Sequence, residues 1–416
     1  MTIMVIAALA IVSDASVWAE EIRAGVAAEQ FTLPKGVPLA GYSKRHGKPS
    51  QGVHDPVGVR ALVLSDGQTT AALVSCDLLI IDEDLFDAVR ARLIAGGMSP
   101  HMVLLVAATH THSGPGAYGR KFLEKISMGH FDQRVFDALA QTISGTILKA
   151  SKRQVPVRVA SATVLTEGLA KNRVEERGFV DRAFTVIGFH FSPTNSSDAW
   201  AVLGNFSAHP TTLNAQNRLL SGDYPGVFIR HAEQPQVPRT TAFFFAGSVG
   251  DQAPVKKGAG FERAEWIGEE LARQANTLLQ TLSPQPPSRL TALQERMPLP
   301  PAHVRLGKRL ALPRWLGQSL VDDDATLSVL VVGDVVFFGV PCDLSAELGE
   351  QLKEAARAKG LKPMVIGFTD DYIGYCLPAS AYRTHTYETL MAFNGPDTGE
   401  LIVQRLIRML NRLVIQ

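Results

Sequence analysis

Val59-Arg60-Ala61-Leu62-Val63-Leu64-Ser65-Asp66-Gly67-Gln68-Thr69-Thr70-Ala71-Ala72-Leu73-Val74-Ser75 reads as two apolar runs, Val59 to Leu64 and Ala71 to Ser75, separated by an Asp-Gly turn. Asp-Gly between such runs is a strong hairpin signal, because glycine accepts the positive φ that a tight turn demands. The pairing here is therefore antiparallel. Downstream, Asp82 to Leu93 carries Leu85, Phe86, Val89 and Leu93 at helical spacing and stops at Gly96-Gly97, after which Met102 to Val106 is again a strand. Further helices are expected over His130 to Lys152, Arg263 to Leu282 and Leu344 to Ala358. Further strands are expected over Val155 to Val164, Ala183 to Phe191, Ala199 to Phe206 and Thr241 to Ala246. A second hairpin, Leu327 to Val332 and Val335 to Val340, turns at Gly333-Asp334. Hairpins mixed with helices exclude a purely parallel sheet and give an α/β (α+β) fold of mixed sheets flanked by helices. The stretch Ser283 to Pro301 holds Pro284, Pro286, Pro287, Pro298, Pro300 and Pro301 and is the candidate linker or sub-domain boundary.

With 416 residues, 46% of them hydrophobic and 19% charged, the chain can bury a large core. The expectation is one catalytic domain over residues 20–416. A formal charge of +1, with no long run of like charges, argues against nucleic acid as a partner. Ile3 to Val12 is apolar but too short to span a bilayer, and Val17-Trp18-Ala19 before Glu20 has the small residues of a signal-peptidase site. Residues 1–19 are read as a signal peptide and the protein as secreted or periplasmic, although no Lys or Arg precedes the run; a cytosolic chain with an apolar start is the alternative. No second segment has transmembrane length, so any membrane contact is expected to be peripheral. Cys76, Cys342 and Cys376 lack metal-ligand spacing and are expected to pack as small hydrophobes, with at most one disulfide among them.

The loop Thr109-His110-Thr111-His112-Ser113-Gly114-Pro115-Gly116 follows the strand ending at Val106. In extended backbone, residues two apart face the same side, so both imidazoles can reach one small volume as neutral donors suited to zinc. Ordinary polar loop residues are the competing explanation. Polar candidates also follow other apolar strands: His209 after Phe206, Asp251 after Ala246, Asp343 after Val340, and Tyr372 and Tyr375 after Phe368. Two histidines, a carboxylate and a weak fourth ligand at strand ends would leave zinc free to bind and acidify water. Each also has a plainer use: Asp343 could cap the helix beginning at Leu344, and Asp251 could stabilise a turn. Gly247-Ser248-Val249-Gly250 lacks the spacing of a serine-hydrolase elbow.

The histidine string resembles that of the neutral/alkaline non-lysosomal ceramidases, in their N-terminal catalytic domain, over roughly Ala24 to Glu388. Gly41-Tyr42, His54-Asp55-Pro56, Arg60-Ala61-Leu62-Val63-Leu64, Asn172-Arg173, Gly250-Asp251, Val340-Pro341 and the tyrosines Tyr375, Tyr382 and Tyr387 support the resemblance. It implies a zinc-dependent amidase that cleaves an N-acyl bond of ceramide or a related lipid. It also implies His110 and His209 as zinc histidines, Asp343 where the family has a glutamate ligand, and Tyr375 as a weak ligand. His112, Arg173 and Tyr387 would orient and polarise the scissile amide, with Asp251 or His112 handling the proton. Three departures stand out. Gly250-Asp251-Gln252-Ala253-Pro254 replaces the family's Gly-Asp-Val-Ser-Pro-Asn, so the serine proposed as nucleophile is Ala253 and an activated water takes its place. Asp343 is one methylene shorter than glutamate, leaving Glu347, one helical turn on, as an alternate ligand. The chain stops at Gln416, which implies a short member without the C-terminal immunoglobulin-like domain. An esterase or lactonase on the same metal, and a non-catalytic ligand-binding descendant, are the competing functions.

Overall fold

A computed structural model describes residues 21–191, 199–233, 239–307 and 310–415, so the expected signal peptide lies outside the described residues. The first sheet takes its strands from β1 (Arg23–Gln30), β2 (Gly58–Ser65), β3 (Thr70–Cys76), β4 (Val103–Ala108), β5 (Val155–Leu165), β6 (Ala183–Phe191), β7 (Ala199–Phe206) and β8 (Arg239–Ala246). They lie in the order β8-β7-β6-β5-β1-β2-β3-β4. β2 and β3 form the expected hairpin, with Val59 opposite Cys76 and Ser65 opposite Thr70. The pairs β3/β4 and β7/β8 are parallel. Helix α1 (Glu83–Ala95) crosses between the first pair, after α1 come α2 (Phe122–Met128) and α3 (Gln133–Ser151), and α4 (Asp223–Ala232) crosses between the second pair. The mixed sheet read from the hairpins is thus the one that forms.

A second sheet, in the order β9-β10-β11-β13, comprises β9 (Leu290–Pro298), β10 (Asp324–Val332), β11 (Val335–Gly339) and β13 (Lys362–Ile366), with the short β12 (Asp343–Leu344) between the last two in sequence. β9 falls inside the proline-rich stretch. Ser283 to Pro301 therefore carries the chain from the first sheet to the second, with its prolines gathered at the two ends of a strand paired along its whole length to β10. The remaining helices are α5 (Gly260–Thr281), α6 (Arg314–Gln318), α7 (Ala346–Arg357), α8 (Tyr387–Leu390) and α9 (Thr398–Ile415), and β14 (Tyr375–Cys376) pairs with β12.

Alternation along the strands divides the core into layers. Leu62, Leu73, Leu105, Phe189, Leu203, Phe243 and Phe245 of the first sheet share one buried cluster with Leu330, Phe337, Met364 and Ile366 of the second. The strand faces turned the other way meet helices: β1 to β4 under α1 and α3, β6 to β8 under α4 and α5, and the second sheet under α7 and α9. Leu105 of edge strand β4 and Phe243 of edge strand β8 are buried together, so the eight-stranded sheet folds over itself. That folding brings the carboxyl ends of β4, β7 and β8 to one place. The three cysteines are free and buried, as packing residues. Among the described residues no helix is long and apolar enough to cross a membrane.

Candidate metal centre and active site

His110 leaves β4 in the left-handed region, at φ 63°. Its Nδ1 lies 2.7 Å from the carbonyl of Leu79, so Nδ1–H donates and Nε2 keeps a free lone pair. His209, beyond β7, is oriented the same way by the carbonyl of Val249 at 2.8 Å. The two Nε2 atoms are 3.1 Å apart, and Nε2 of His112 is 3.2 Å from that of His110. Asp343 Oδ1 sits 3.2 Å from His209 Nε2 and 3.7 Å from His110 Nε2. That oxygen is buried without a hydrogen-bond partner, while Oδ2 accepts from the Tyr372 hydroxyl at 2.7 Å. Tyr375 comes opposite Asp343 in the β12/β14 pair, and its hydroxyl reaches within 3.4 Å of His209 Nε2.

Two acceptor nitrogens and an orphaned carboxylate oxygen at these separations repel one another unless a positive charge lies between them. Burial supplies the matching protonation state. It pushes His110 down to about 3, against the partly opposing pull of Asp343, and pushes His112 and His209 well below the ordinary imidazole range. Burial raises Asp343 above the usual carboxylate range, and the nearby imidazole of His110 and the Tyr372 hydroxyl counter it only in part. A site of neutral imidazoles and one deeply buried carboxylate fits a divalent cation, and His110, His112 and His209 form the group able to hold one. Glu347 is exposed on α7, so the carboxylate placed among the imidazoles is that of Asp343. Asp343 does not cap α7 either: the N-cap is Ser345, and the first free amide, that of Ala346, donates to Asp251 Oδ1 at 2.9 Å.

Arg173 donates from Nη2 to the Tyr375 hydroxyl at 2.8 Å and to the carbonyl of Gly250 at 2.9 Å, and its Nε lies 3.0 Å from Glu388 Oε1. Tyr387 packs edge-on to Tyr375 with ring centroids 5.8 Å apart. Together with His110, His112 and Tyr375 it walls a cavity whose other sides are largely apolar, among them Leu79, Ile80, Leu123, Val321, Met391 and Phe393. Asp251 alone among the expected site residues is turned into the scaffold. Its carboxylate accepts from Ala346 N, Asn172 Nδ2 and Gln252 Nε2, and its carbonyl accepts from the Arg173 amide.

Several contributors have no signature in the chain. Phe368 stacks on His110 at 3.7 Å and 5°. Arg45, 4% exposed, donates to the carbonyls of Ala40 and His112 at 2.7 and 2.6 Å and so ties the histidine loop to the turn at Gly41. A Cβ on Gly41 would stand 2.6 Å from Cγ of His112, and its φ is +104°; only glycine fits there. Glu388 adjoins the expected Tyr387 in sequence, and Tyr372 is itself a polar candidate after Phe368, yet their parts in the site rest on contacts across the fold, with Arg173 and Asp343.

The family model for neutral/alkaline non-lysosomal ceramidase, N-terminal, matches residues 23–269. Neutral ceramidase of Pseudomonas aeruginosa is 28% identical over 245 residues, covering 54% of this chain and 36% of that protein. Neutral ceramidase A of Dictyostelium discoideum is 28% identical over 237 residues, covering 51% of this chain and 33% of that protein. The matches thus span about a third of the relatives' length. The crystal structure of the Pseudomonas aeruginosa neutral ceramidase superposes with a TM-score of 0.82 at 21% identity, covering 95% of this chain and 74% of that one, which establishes the shared fold. Because the family model covers more than half of the sequence, the chain belongs to the neutral/alkaline non-lysosomal ceramidase family.

Proposed function

We propose that this protein is a zinc-dependent hydrolase that cleaves an N-acyl amide bond of a lipid substrate, acting after export to the periplasm or the exterior. The observation that carries this reading is the convergence of His110 Nε2, His209 Nε2 and the unpartnered Asp343 Oδ1 beside an apolar cavity that His110 and Tyr375 line. His110, His209, Asp343 and Tyr375 would hold the metal. When bound, zinc supplies Lewis acidity and lowers the pKa of a water toward about 7.

The residues of the chain do the rest. The apolar wall of Leu79, Ile80, Leu123 and Val321 receives the acyl chain and keeps bulk water from the scissile carbonyl. Arg173 and Tyr387 offer donors to the oxygen that gains negative charge as the carbonyl is attacked. Glu388 and Gly250 fix the Arg173 guanidinium for that task. His112, whose Nε2 faces the other imidazoles of the site, takes the proton of the attacking water and returns it to the leaving amine. Asp251 serves at one remove, holding Arg173 and the start of α7. Ala253 sits where a serine would be needed for a covalent route, which favours direct attack by water.

Purified protein of defined metal content, incubated with N-acyl sphingoids, N-acyl amino acids and simple esters and followed by mass spectrometry, tests the reading. Release of fatty acid and amine by metal-loaded protein, and not by the chelated form, supports it. Exclusive ester cleavage would move the assignment to an esterase or lactonase, and no cleavage with no bound metal would move it to a ligand-binding role.

A further inference from the structure

The cavity beside the histidines is small. It encloses about 110 Å³, whereas a dry apolar cavity of about 150 Å³ holds one benzene molecule, so the room here is for roughly four or five carbon atoms. Two walls set its width. One is α2, whose Leu123, Glu124 and Ser127 line the cavity, and the other is the segment between α6 and β10, which brings Leu320, Val321 and Asp322. Lys121, the N-cap of α2, ties the two together: its Nζ donates to Asp322 Oδ1 at 2.5 Å, and both side chains border the cavity.

Neither wall is free to retreat. Glu124 Oε2 accepts from Lys121 N at 2.8 Å and fixes the start of α2. Gly41 N donates to the Ser127 carbonyl at 3.0 Å and Ala117 N to that of Met128 at 2.9 Å, which pins the other end of the helix. Behind the opposite wall, Leu299 N donates to the Asp323 carbonyl at 2.8 Å, and Asn394 Nδ2 to the carbonyls of Pro300 at 3.1 Å and Asp322 at 3.4 Å. A longer chain would have to part the ion pair, and that would set an unpaired ammonium and an unpaired carboxylate against methylene groups.

We infer that the site is selective for short acyl groups, of roughly five carbons or fewer, and that Lys121 and Asp322 are the residues that set the limit. The inference rests on the reading of this cavity as the acyl site of an N-acyl amide hydrolase. It places the long chain of a lipid substrate on the amine side of the amide, outside the enclosed space. Each methylene that fits leaves water and raises affinity about fourfold, while one that does not fit stays in water and adds nothing.

The test uses the acyl product as its probe, so that no turnover is needed. Straight-chain carboxylates from acetate to dodecanoate, below their micelle concentrations, are titrated into the full chain supplied with zinc and followed by calorimetry. Affinity is expected to rise about fourfold per methylene as far as pentanoate and then to level or fall. In Lys121→Ala/Asp322→Ala the rise should continue to octanoate, increasing the octanoate-to-butanoate affinity ratio about tenfold. Arg230→Ala/Glu265→Ala, which removes an exposed ion pair elsewhere, should leave the break where the parent has it. Circular dichroism verifies folding, and the parent series decides by itself should the double variant misfold. Affinity that climbs without a break from acetate to dodecanoate in the parent overturns the inference, as does a folded double variant with an unmoved break, or failure of every carboxylate to bind. A break near pentanoate in a protein that hydrolyses no amide would uphold the size limit and remove only the assigned reaction.

Discussion

His110 and His209, aimed by backbone carbonyls, are the centre of the proposed metal site, and the burial of these imidazoles sets its pH behaviour. In the unfolded chain an imidazole protonates near pH 6.5, whereas the folded metal-free protein holds His110 down to about 3. The unfolded state therefore takes up the proton first as pH falls, so the stability present above about pH 6.5 is progressively lost between there and about pH 3. The loss from His110 alone is on the order of 2 kcal/mol at pH 5. Urea melts of chelated protein at pH 7 and pH 5 should show it, and His110→Gln should narrow the difference. Gly41→Ala is a second residue-scale prediction: a Cβ pressed on the His112 ring at positive φ should cost about 1–3 kcal/mol and lower turnover while metal content stays whole. Arg173→Ala should lower kcat by about 10²- to 10³-fold through lost oxyanion stabilisation, measured on a soluble amide. The histidine pair was legible because His-X-His follows an apolar run and precedes the Gly114-Pro115-Gly116 turn, a short-range pattern. The partners that aim the rings, Leu79 O and Val249 O, were not, since any residue has a carbonyl and only the fold decides which one arrives.

At the scale of elements, the site depends on how α7 is anchored. Lys353 of α7 pairs with Asp181 at 2.5 Å, both nearly buried, and Asp181 also accepts from Ser207, two residues before His209. Lys353→Met would strand a buried carboxylate beside a metal-ligand loop, and denaturant unfolding should register a loss of about 3–5 kcal/mol. An unchanged unfolding midpoint would remove this pair from the account. The elements themselves were readable wherever turn chemistry and periodicity agree. The Asp66-Gly67 hairpin and the helix over Glu83–Ala95 formed within a few residues of their expected ends. Ser283 to Pro301 was not readable as a strand, because its prolines mark breaks while the nine residues of Leu290–Pro298 between them gain their order from β10. Asp251 likewise looked like a catalytic carboxylate by position, yet its oxygens serve Ala346 N and Asn172; a sequence shows where a carboxylate lies along the chain but not which way it turns.

For the whole molecule, the decisive event is the folding of one mixed sheet so that the ends of β4, β7 and β8 meet, with β12 and β14 arriving from beside the second sheet. No local pattern encodes that closure; it follows from apolar faces such as Leu105, Phe243 and Phe337 sharing one core. Because the ligands come from segments far apart in sequence, metal bound to the native state alone should stabilise the molecule by mass action, and chelation should lower its Tm. The most direct test of the central claim is the zinc content and amide turnover of wild type, His110→Ala and His112→Ala prepared side by side. The account predicts stoichiometric zinc in wild type and in His112→Ala, none in His110→Ala, and turnover in wild type alone. Full zinc in His110→Ala, or undiminished turnover in either variant, would contradict it.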